Sequence, residues 1–267
     1  MRTRKTTPPS SSDRTEVRLQ APTSWGELSD RQLRYVLFLL SYDGGTLLQT
    51  DITVMLFFRL TGTSIVQTLA DGVVVCRHGR RRFVITDEEV ADLASRFNFV
   101  FSPKGYRPLT DIMGRKPVDA ELHGLPFGHY LQLENFYQSY LAAPEQEPSP
   151  LDDMLLLLYP ADSTQPETAL PRDIHPAERM NVFLWYTSIK EVFATRFSHL
   201  FGPPQKDAAI TQQRLIDAMD AQLRALTQGD ITREQAILDA DVWRALTELN
   251  ALARDADELR RHNSINH

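Results

Sequence analysis

The chain has 267 residues, of which 42% are hydrophobic and 24% are charged, and its formal net charge is -6. This composition is typical of a globular protein, and the length allows one large domain or two smaller ones. The negative charge argues against a protein whose whole surface binds nucleic acid, although it leaves room for a local basic patch. We expect no membrane span, because the uncharged apolar runs are far shorter than the roughly 18 residues needed.

Residues 1–22 are rich in basic and polar residues and poor in apolar ones. Such a segment cannot bury enough apolar surface to order itself, so we predict a disordered basic tail with, at most, weak affinity for nucleic acid or a partner. The single cysteine, Cys76, excludes an internal disulfide bond and fits a reducing compartment. Because it follows three valines, we interpret it as a packed strand residue and not as a nucleophile.

The region 23–143 is predicted to be helical with one β-hairpin. Ser29 begins a capping box, and apolar residues then recur at helical spacing. A second predicted helix, Asp51–Leu60, is almost entirely apolar and is followed by a glycine. Further along, Val73–Cys76 and Arg82–Ile85 flank a glycine turn, which predicts the hairpin.

The pattern after the hairpin predicts a short helix, a connector and a longer helix. Thr86 opens a second capping box, and the apolar face that follows extends to Phe97. Prolines and glycines interrupt regular structure throughout 99–126, and an aromatic-rich helix is predicted at Phe127–Leu141. The stretch 144–150 is a linker candidate between the two predicted helical regions.

The C-terminal helical region is predicted at 151–267. It begins with a short buried helix, Leu151–Tyr159, and continues with a helix at Ala177–Phe201 that we expect to form the centre of the core. Pro176 fits the first turn of this helix, and Gly202-Pro203-Pro204 is expected to end it. The chain as a whole is therefore predicted to be a mainly α-helical, multi-helix globular protein with one small β-hairpin.

Two further helices beyond residue 204 carry narrow apolar stripes, and Gly229 separates them. This spacing suits an antiparallel pair of helices. The stripe residues are Ile216, Met219, Leu223 and Leu226 on the first helix, and Val242, Leu246, Leu249, Ala253 and Ala256 on the second.

No sequence motif indicates catalysis. The seven histidines show neither an H-E-x-x-H motif nor the cysteine and histidine spacing of a zinc site. Nucleophile-elbow, phosphate-loop and dinucleotide-binding motifs do not occur. We therefore predict a protein without enzymatic activity, metal or cofactor.

Four arginines, Arg77, Arg80, Arg81 and Arg82, lie on or beside the predicted hairpin. The order of helix, helix and basic hairpin is that of part of a winged-helix module, whose wing can touch phosphates or the minor groove. The second helix, however, offers almost no polar side chains to base edges. We therefore favour a solvated edge hairpin whose charges prevent aggregation, with DNA binding as the alternative.

Four segments of the chain have a distinctive sequence: Ser24–Leu28, Phe183–Tyr186, Met219–Thr232 and Trp243–Ala251. Together they resemble uncharacterised prophage proteins encoded in tail-morphogenesis regions, and the resemblance covers most of the chain after residue 22. It implies a tail assembly chaperone in the cytoplasm of the bacterial host cell, whose partner is a helical structural protein such as the tape-measure protein. Nucleic acid is not expected as the main partner.

A chaperone of this kind needs exposed apolar helical surface, which the two narrow stripes can supply. We therefore take Leu223, Leu226, Trp243 and Leu246 as candidate partner-binding residues. Trp243 is the candidate anchor, because buried aromatic anchors often dominate binding. The alternative, which we favour, is that Trp243 is a core residue that holds the two helices together.

Overall fold

A computed structural model of the chain describes residues 17–42, 47–69, 71–143, 149–161, 174–202 and 212–265. Across these residues the protein is mainly α-helical and contains one three-stranded antiparallel sheet, which confirms the predicted fold class. Most of the predicted N-terminal tail and of the linker candidate at 144–150 lies outside the described residues.

The helices are α1 (Asp30–Leu40), α2 (Gln49–Thr61), α3 (Asp87–Ala94), α4 (Phe127–Ala142), α5 (Pro150–Leu158), α6 (Pro176–Arg196), α7 (Gln212–Thr227), α8 (Glu234–Leu238) and α9 (Val242–Ile265). The strands are β1 (Thr63–Thr68), β2 (Val73–His78) and β3 (Arg81–Thr86). The chain divides into two compact units, the first made of Met1–Thr23 and Leu47–Asn98 and the second of Ser24–Thr46 and Phe99–His267.

The first unit contains α2, the sheet and α3. The sheet has the order β1-β2-β3, and Val74 lies opposite Ile85 in the pairing of β2 with β3. Val74, Cys76 and Ile85 are buried on one face of the sheet. Since α2 contacts β1, α3 contacts β3 and the two helices contact each other, this is the face that packs on the helices. The predicted hairpin is thus the β2–β3 half of a larger sheet.

The division into units differs from the predicted boundary at 144–150. Helices α4 and α5, which precede and follow that stretch, pack against each other within the second unit. Helix α1 packs on α6 and therefore also belongs to the second unit. The elements of the predicted winged-helix order consequently fall into two units, with α1 in the second and with α2 and the hairpin in the first.

Helix α6 is the core of the second unit, as the sequence predicts. Its side chains Val182, Trp185, Tyr186 and Phe193 are almost completely buried, and α1 and α5 pack on it. The helix ends at Arg196, five residues before the predicted end at Phe201. The backbone leaves the helical conformation at Phe197, which has a φ of -114° and a ψ of 52°. In the turn that follows, the Asn250 side-chain carbonyl oxygen on α9 accepts hydrogen bonds from the backbone N–H groups of His199 and Leu200, at 3.0 and 3.2 Å.

Two helices contact each other at the C-terminal end of the second unit, α7 and the 24-residue α9. Between them Gly229 takes a positive φ of 82°, and the Asp230 carboxylate accepts a hydrogen bond from the Thr232 N–H. The predicted pair of helices is therefore present, and the short α8 lies between them in the chain. No helix in the described ranges is long and apolar enough to cross a membrane.

Candidate functional site

Helix α9 begins with a covered apolar stripe, and two exposed leucines follow beside the continuation of that stripe. The stripe residues Val242, Leu246 and Leu249 are almost completely buried, and the alanines that continue their spacing, Ala253 and Ala256, are half-buried. Leu252 and Leu259 lie about a quarter turn to one side of the stripe and are 38% and 64% exposed. The seven-residue interval from Leu252 to Leu259 is that of a heptad, in which such residues face a partner helix. We call Leu252–Ile265 the distal half of α9, and Val242–Leu249 the proximal half.

The Trp243 side chain packs the proximal half of α9 against the rest of the second unit. Its indole N–H donates a hydrogen bond of 2.7 Å to the carbonyl oxygen of Glu121, and its ring stacks on His123 with a centroid separation of 4.7 Å. The same ring meets Phe193 of α6 edge-on at 5.3 Å and lies 5.5 Å from Phe197. These are the contacts of a packing residue, and they favour the core role for Trp243.

The predicted partner-binding residues are therefore distributed unevenly. Leu246 is completely buried beside Trp243, whereas Leu223 and Leu226 are half-buried on α7. The two leucines with exposed surface, Leu252 and Leu259, were not among the predicted binding residues, because the predicted stripe continues through Ala253 and Ala256. The available signal was the seven-residue interval between the two leucines, which places them on one face of the helix.

Paired charges flank the exposed leucines of the distal half. Arg254 lies 3.1 Å from Asp255, and Arg260 lies 3.5 Å from Asp257. Both pairs are well exposed, so each contributes little to stability, roughly 0–1 kcal/mol. An apolar ridge between charges of both signs is the surface pattern that helices present in coiled coils.

The basic hairpin is a second candidate site, and its register splits the four arginines into two groups. Arg77 lies opposite Arg82 and His78 lies opposite Arg81, so the turn consists of Gly79 and Arg80, with a φ of 60° at Gly79. Because side chains alternate between faces, Arg77 and Arg82 share one face of the sheet and His78 and Arg81 share the other.

The four arginines are exposed, and none has a carboxylate partner within the part of the chain that the structure describes. Arg179 in the second unit provides a contrast, because its guanidinium binds both Asp152 oxygens at 2.7 and 2.8 Å. Arginines with a structural role usually find such partners. The hairpin arginines are thus available to an external anion.

One face of the hairpin borders a cleft of about 510 Å³. The described residues that line it are Val17, Arg18, His78, Arg80 and Arg81, and none of these five is acidic. The Nδ1 atom of His78 is buried and has no hydrogen-bond partner among the described residues. Buried polar atoms without partners are uncommon in folded proteins, so His78 is a candidate for contact with a ligand.

A buried polar cluster around Asn181 in the second unit is complete without a ligand. The Asn181 Oδ1 atom accepts hydrogen bonds from the Tyr106 hydroxyl at 2.8 Å and the Leu109 N–H at 2.9 Å. Its Nδ2 group donates to the Tyr159 hydroxyl, which in turn donates to the Leu109 carbonyl. Burial raises the pKa of both Tyr106 and Tyr159, so both hydroxyls keep their protons. The cluster is therefore a structural feature of the core.

Cys76 is buried in β2, as the sequence predicts, and burial raises the pKa of its thiol. A buried thiol with a raised pKa is a poor nucleophile. Within the described ranges, no three histidine, cysteine, aspartate or glutamate side chains come together in a way that could hold a metal ion. No protein family, curated protein or solved structure matches this chain.

Proposed function

We propose that this chain is a non-enzymatic binding protein, and that the distal half of α9 binds an α-helix of a partner. The observation that carries the proposal is that the distal half presents two leucines to solvent on one face of the helix. Leu249 is buried, whereas Leu252 and Leu259, which are seven residues apart, are substantially exposed. Exposed apolar side chains at heptad spacing are typical of a surface that receives another helix.

The dimensions and chemistry of the distal half suit a helical partner. Residues 252–265 form a helical segment of about 20 Å, which spans two heptads. Complete burial of a leucine side chain contributes roughly 1.5–3 kcal/mol, so the two exposed leucines can supply useful binding energy. The paired charges beside them, Arg254 with Asp255 and Arg260 with Asp257, can fix the register of the partner.

The resemblance to prophage tail-morphogenesis proteins identifies the kind of partner that we propose. A tape-measure protein is a long helical structural protein, and a chaperone that holds it before tail assembly needs to cover apolar helical surface. On this proposal the chain acts in the cytoplasm of the bacterial host cell and assists tail assembly. The distal half of α9 is the part of the chain that contacts the tape-measure helix.

Co-expression with a tape-measure protein from the same genome tests the proposal. The double variant Leu252→Asp/Leu259→Asp places a charge at each of the two exposed leucine positions of the distal half. We expect it to abolish co-purification while the thermal unfolding temperature stays unchanged. The matched control is Ile231→Asp, because Ile231 is 81% exposed and lies outside α9. We expect this control to co-purify like the native chain.

Three results would overturn the proposal. The first is equal co-purification of the native chain and the double variant, and the second is equal loss in the double variant and the control. The third is a native chain that forms a dimer in light scattering, with the double variant a monomer, because the surface would then receive a second copy of the chain.

A further inference from the structure

We infer that the cleft lined by Arg18, His78, Arg80 and Arg81 binds a phosphate group, an activity separate from the proposed binding of a helix. Three guanidinium groups and one imidazole border this cleft of about 510 Å³, and none of the described residues that line it carries a carboxylate. Guanidinium groups match phosphate oxygens in geometry and can donate two parallel hydrogen bonds to them. The lining therefore has the chemistry of an anion site and lacks the chemistry of a cation site.

The distribution of charge within the first unit supports this inference. No acidic residue occurs between Val73 and Thr86, where all the arginines of the hairpin lie. Acidic residues flank the other end of these strands, where the Asp87 N–H donates to the Gly72 carbonyl and Asp71 lies in the turn. Strands of this length separate the two ends by about 17 Å, which is roughly twice the screening length at physiological salt. Those carboxylates are therefore too far away to neutralise the positive charge of Arg80 and Arg81 at the cleft.

Repulsion between Arg80 and Arg81 explains why an anion is favoured. The two arginines are adjacent in the chain, and both line the cleft. Like charges held close together destabilise one another unless a counter-charge lies between them. A phosphate group carries that counter-charge and provides several acceptor oxygens for the guanidinium groups.

His78 adds a directed contact to the electrostatic attraction. Its Nδ1 atom is buried without a partner among the described residues, so Nε2 is the ring nitrogen that remains for hydrogen bonding toward the cleft. A neutral imidazole with its proton on Nε2 can donate to a phosphate oxygen. The backbone pairing of His78 with Arg81 holds both side chains on the same face of the hairpin.

The phosphate can come from two sources, a free phosphate-bearing anion or the backbone of a nucleic acid. The hairpin provides its own control for either source, because Arg77 and Arg82 lie on the opposite face of the sheet. The pair variants Arg80→Ala/Arg81→Ala and Arg77→Ala/Arg82→Ala each remove two positive charges from the same hairpin. Only the first pair removes groups that line the cleft.

The test measures the affinity of the full chain for inorganic pyrophosphate by calorimetry and for labelled single- and double-stranded oligonucleotides by anisotropy. Oligonucleotide titrations are made at about 50 mM and about 200 mM salt, because contacts to a nucleic-acid backbone weaken strongly over that range. We expect the cleft pair to lose about tenfold or more in affinity, and the opposite pair to lose less than about threefold. His78→Gln, which keeps a polar side chain but alters its geometry, should weaken binding to an intermediate extent.

Binding of pyrophosphate would identify a free anion as a ligand, and binding of oligonucleotides alone would identify a nucleic-acid backbone. Both results support the phosphate site if the cleft pair is the sensitive one. Equal loss in the two pair variants would show diffuse charge attraction and would overturn the inference. It would also be overturned if no probe binds at millimolar pyrophosphate or micromolar oligonucleotide.

Discussion

The proximal and distal halves of α9 both carry leucines and differ in whether the protein covers them. In the proximal half, Trp243 lies against Phe193 and Phe197, and Leu246 is completely buried. In the distal half, a large part of the Leu252 and Leu259 side chains is in solvent. An amphipathic pattern thus specifies which face of a helix is apolar, whereas tertiary structure decides whether the protein itself covers that face.

Asn250 lies between the covered and exposed parts. Its side-chain oxygen accepts hydrogen bonds from the backbone N–H groups of His199 and Leu200, which follow the end of α6. A further contact joins the distal half of α9 to the segment after α6. It is the exposed pair of His199 Nδ1 and Asp257 Oδ2, which lie 3.8 Å apart. Along α9, the change from buried to solvent-exposed leucines therefore occurs within about one helical turn.

The largest effect is expected from Leu246→Ala in the proximal half. Leu246 is completely buried, and removal of its side chain should lower the free energy of unfolding by about 3 kcal/mol through lost burial and the resulting cavity. Urea denaturation measures this loss. A decrease below about 1 kcal/mol would show that the proximal half is not firmly packed.

Trp243→Ala should have the next largest effect, about 2 kcal/mol, because the ring is half-buried and its N–H bonds the Glu121 carbonyl. This variant separates the two roles predicted for Trp243. A large fall in the melting temperature identifies a core residue. Loss of the tape-measure protein on co-purification, with unchanged melting, would instead identify an anchor and refute the core role.

Asn250→Ala should destabilise the protein by about 1 kcal/mol. The variant leaves the His199 N–H without its Asn250 acceptor, whereas the Leu200 N–H keeps the Phe197 carbonyl at 3.0 Å, and the cost should resemble the loss of a helix cap. Amide exchange at His199 should accelerate more than exchange within α6. Uniform acceleration across α6 would show that Asn250 does not act locally.

The smallest effects are expected in the distal half. Leu252→Ala and Leu259→Ala should each change the free energy of unfolding by less than about 0.5 kcal/mol, because much of each side chain is already in solvent. The same urea titration used for Leu246→Ala provides the comparison. If Leu259→Ala lowered the free energy of unfolding by about 2 kcal/mol or more, the protein itself would bury the Leu259 side chain.

Local features of the fold could be predicted from the sequence. The capping boxes at Ser29 and Thr86 were predicted and are present, because each depends only on a side chain and the first turn of its own helix. Gly62, with a φ of 67°, ends α2 for an equally local reason. The burial of Trp185 and Phe193 follows from the strong apolar character of α6.

Features that depend on distant contacts could not be predicted in the same way. Helix α6 ends at Arg196, so the proline stop after Gly202 gave the wrong end, and the turn beyond Arg196 is bound by Asn250 from far along the chain. The membership of α1 in the second unit depends on its packing with α6. The opposite faces of Arg77 and Arg81, by contrast, follow from a two-residue turn and could have been inferred from the spacing around Gly79.

Hydrogen exchange along α9, with and without the tape-measure protein, tests the central claim most directly. In the free chain we expect amides of the proximal half, Val242–Leu249, to exchange slowly and those of the distal half, Leu252–Ile265, to exchange much faster. Addition of the partner should slow exchange in the distal half and leave the proximal half unchanged. Equal protection of both halves in the free chain, or no change in the distal half when the partner binds, would contradict the account.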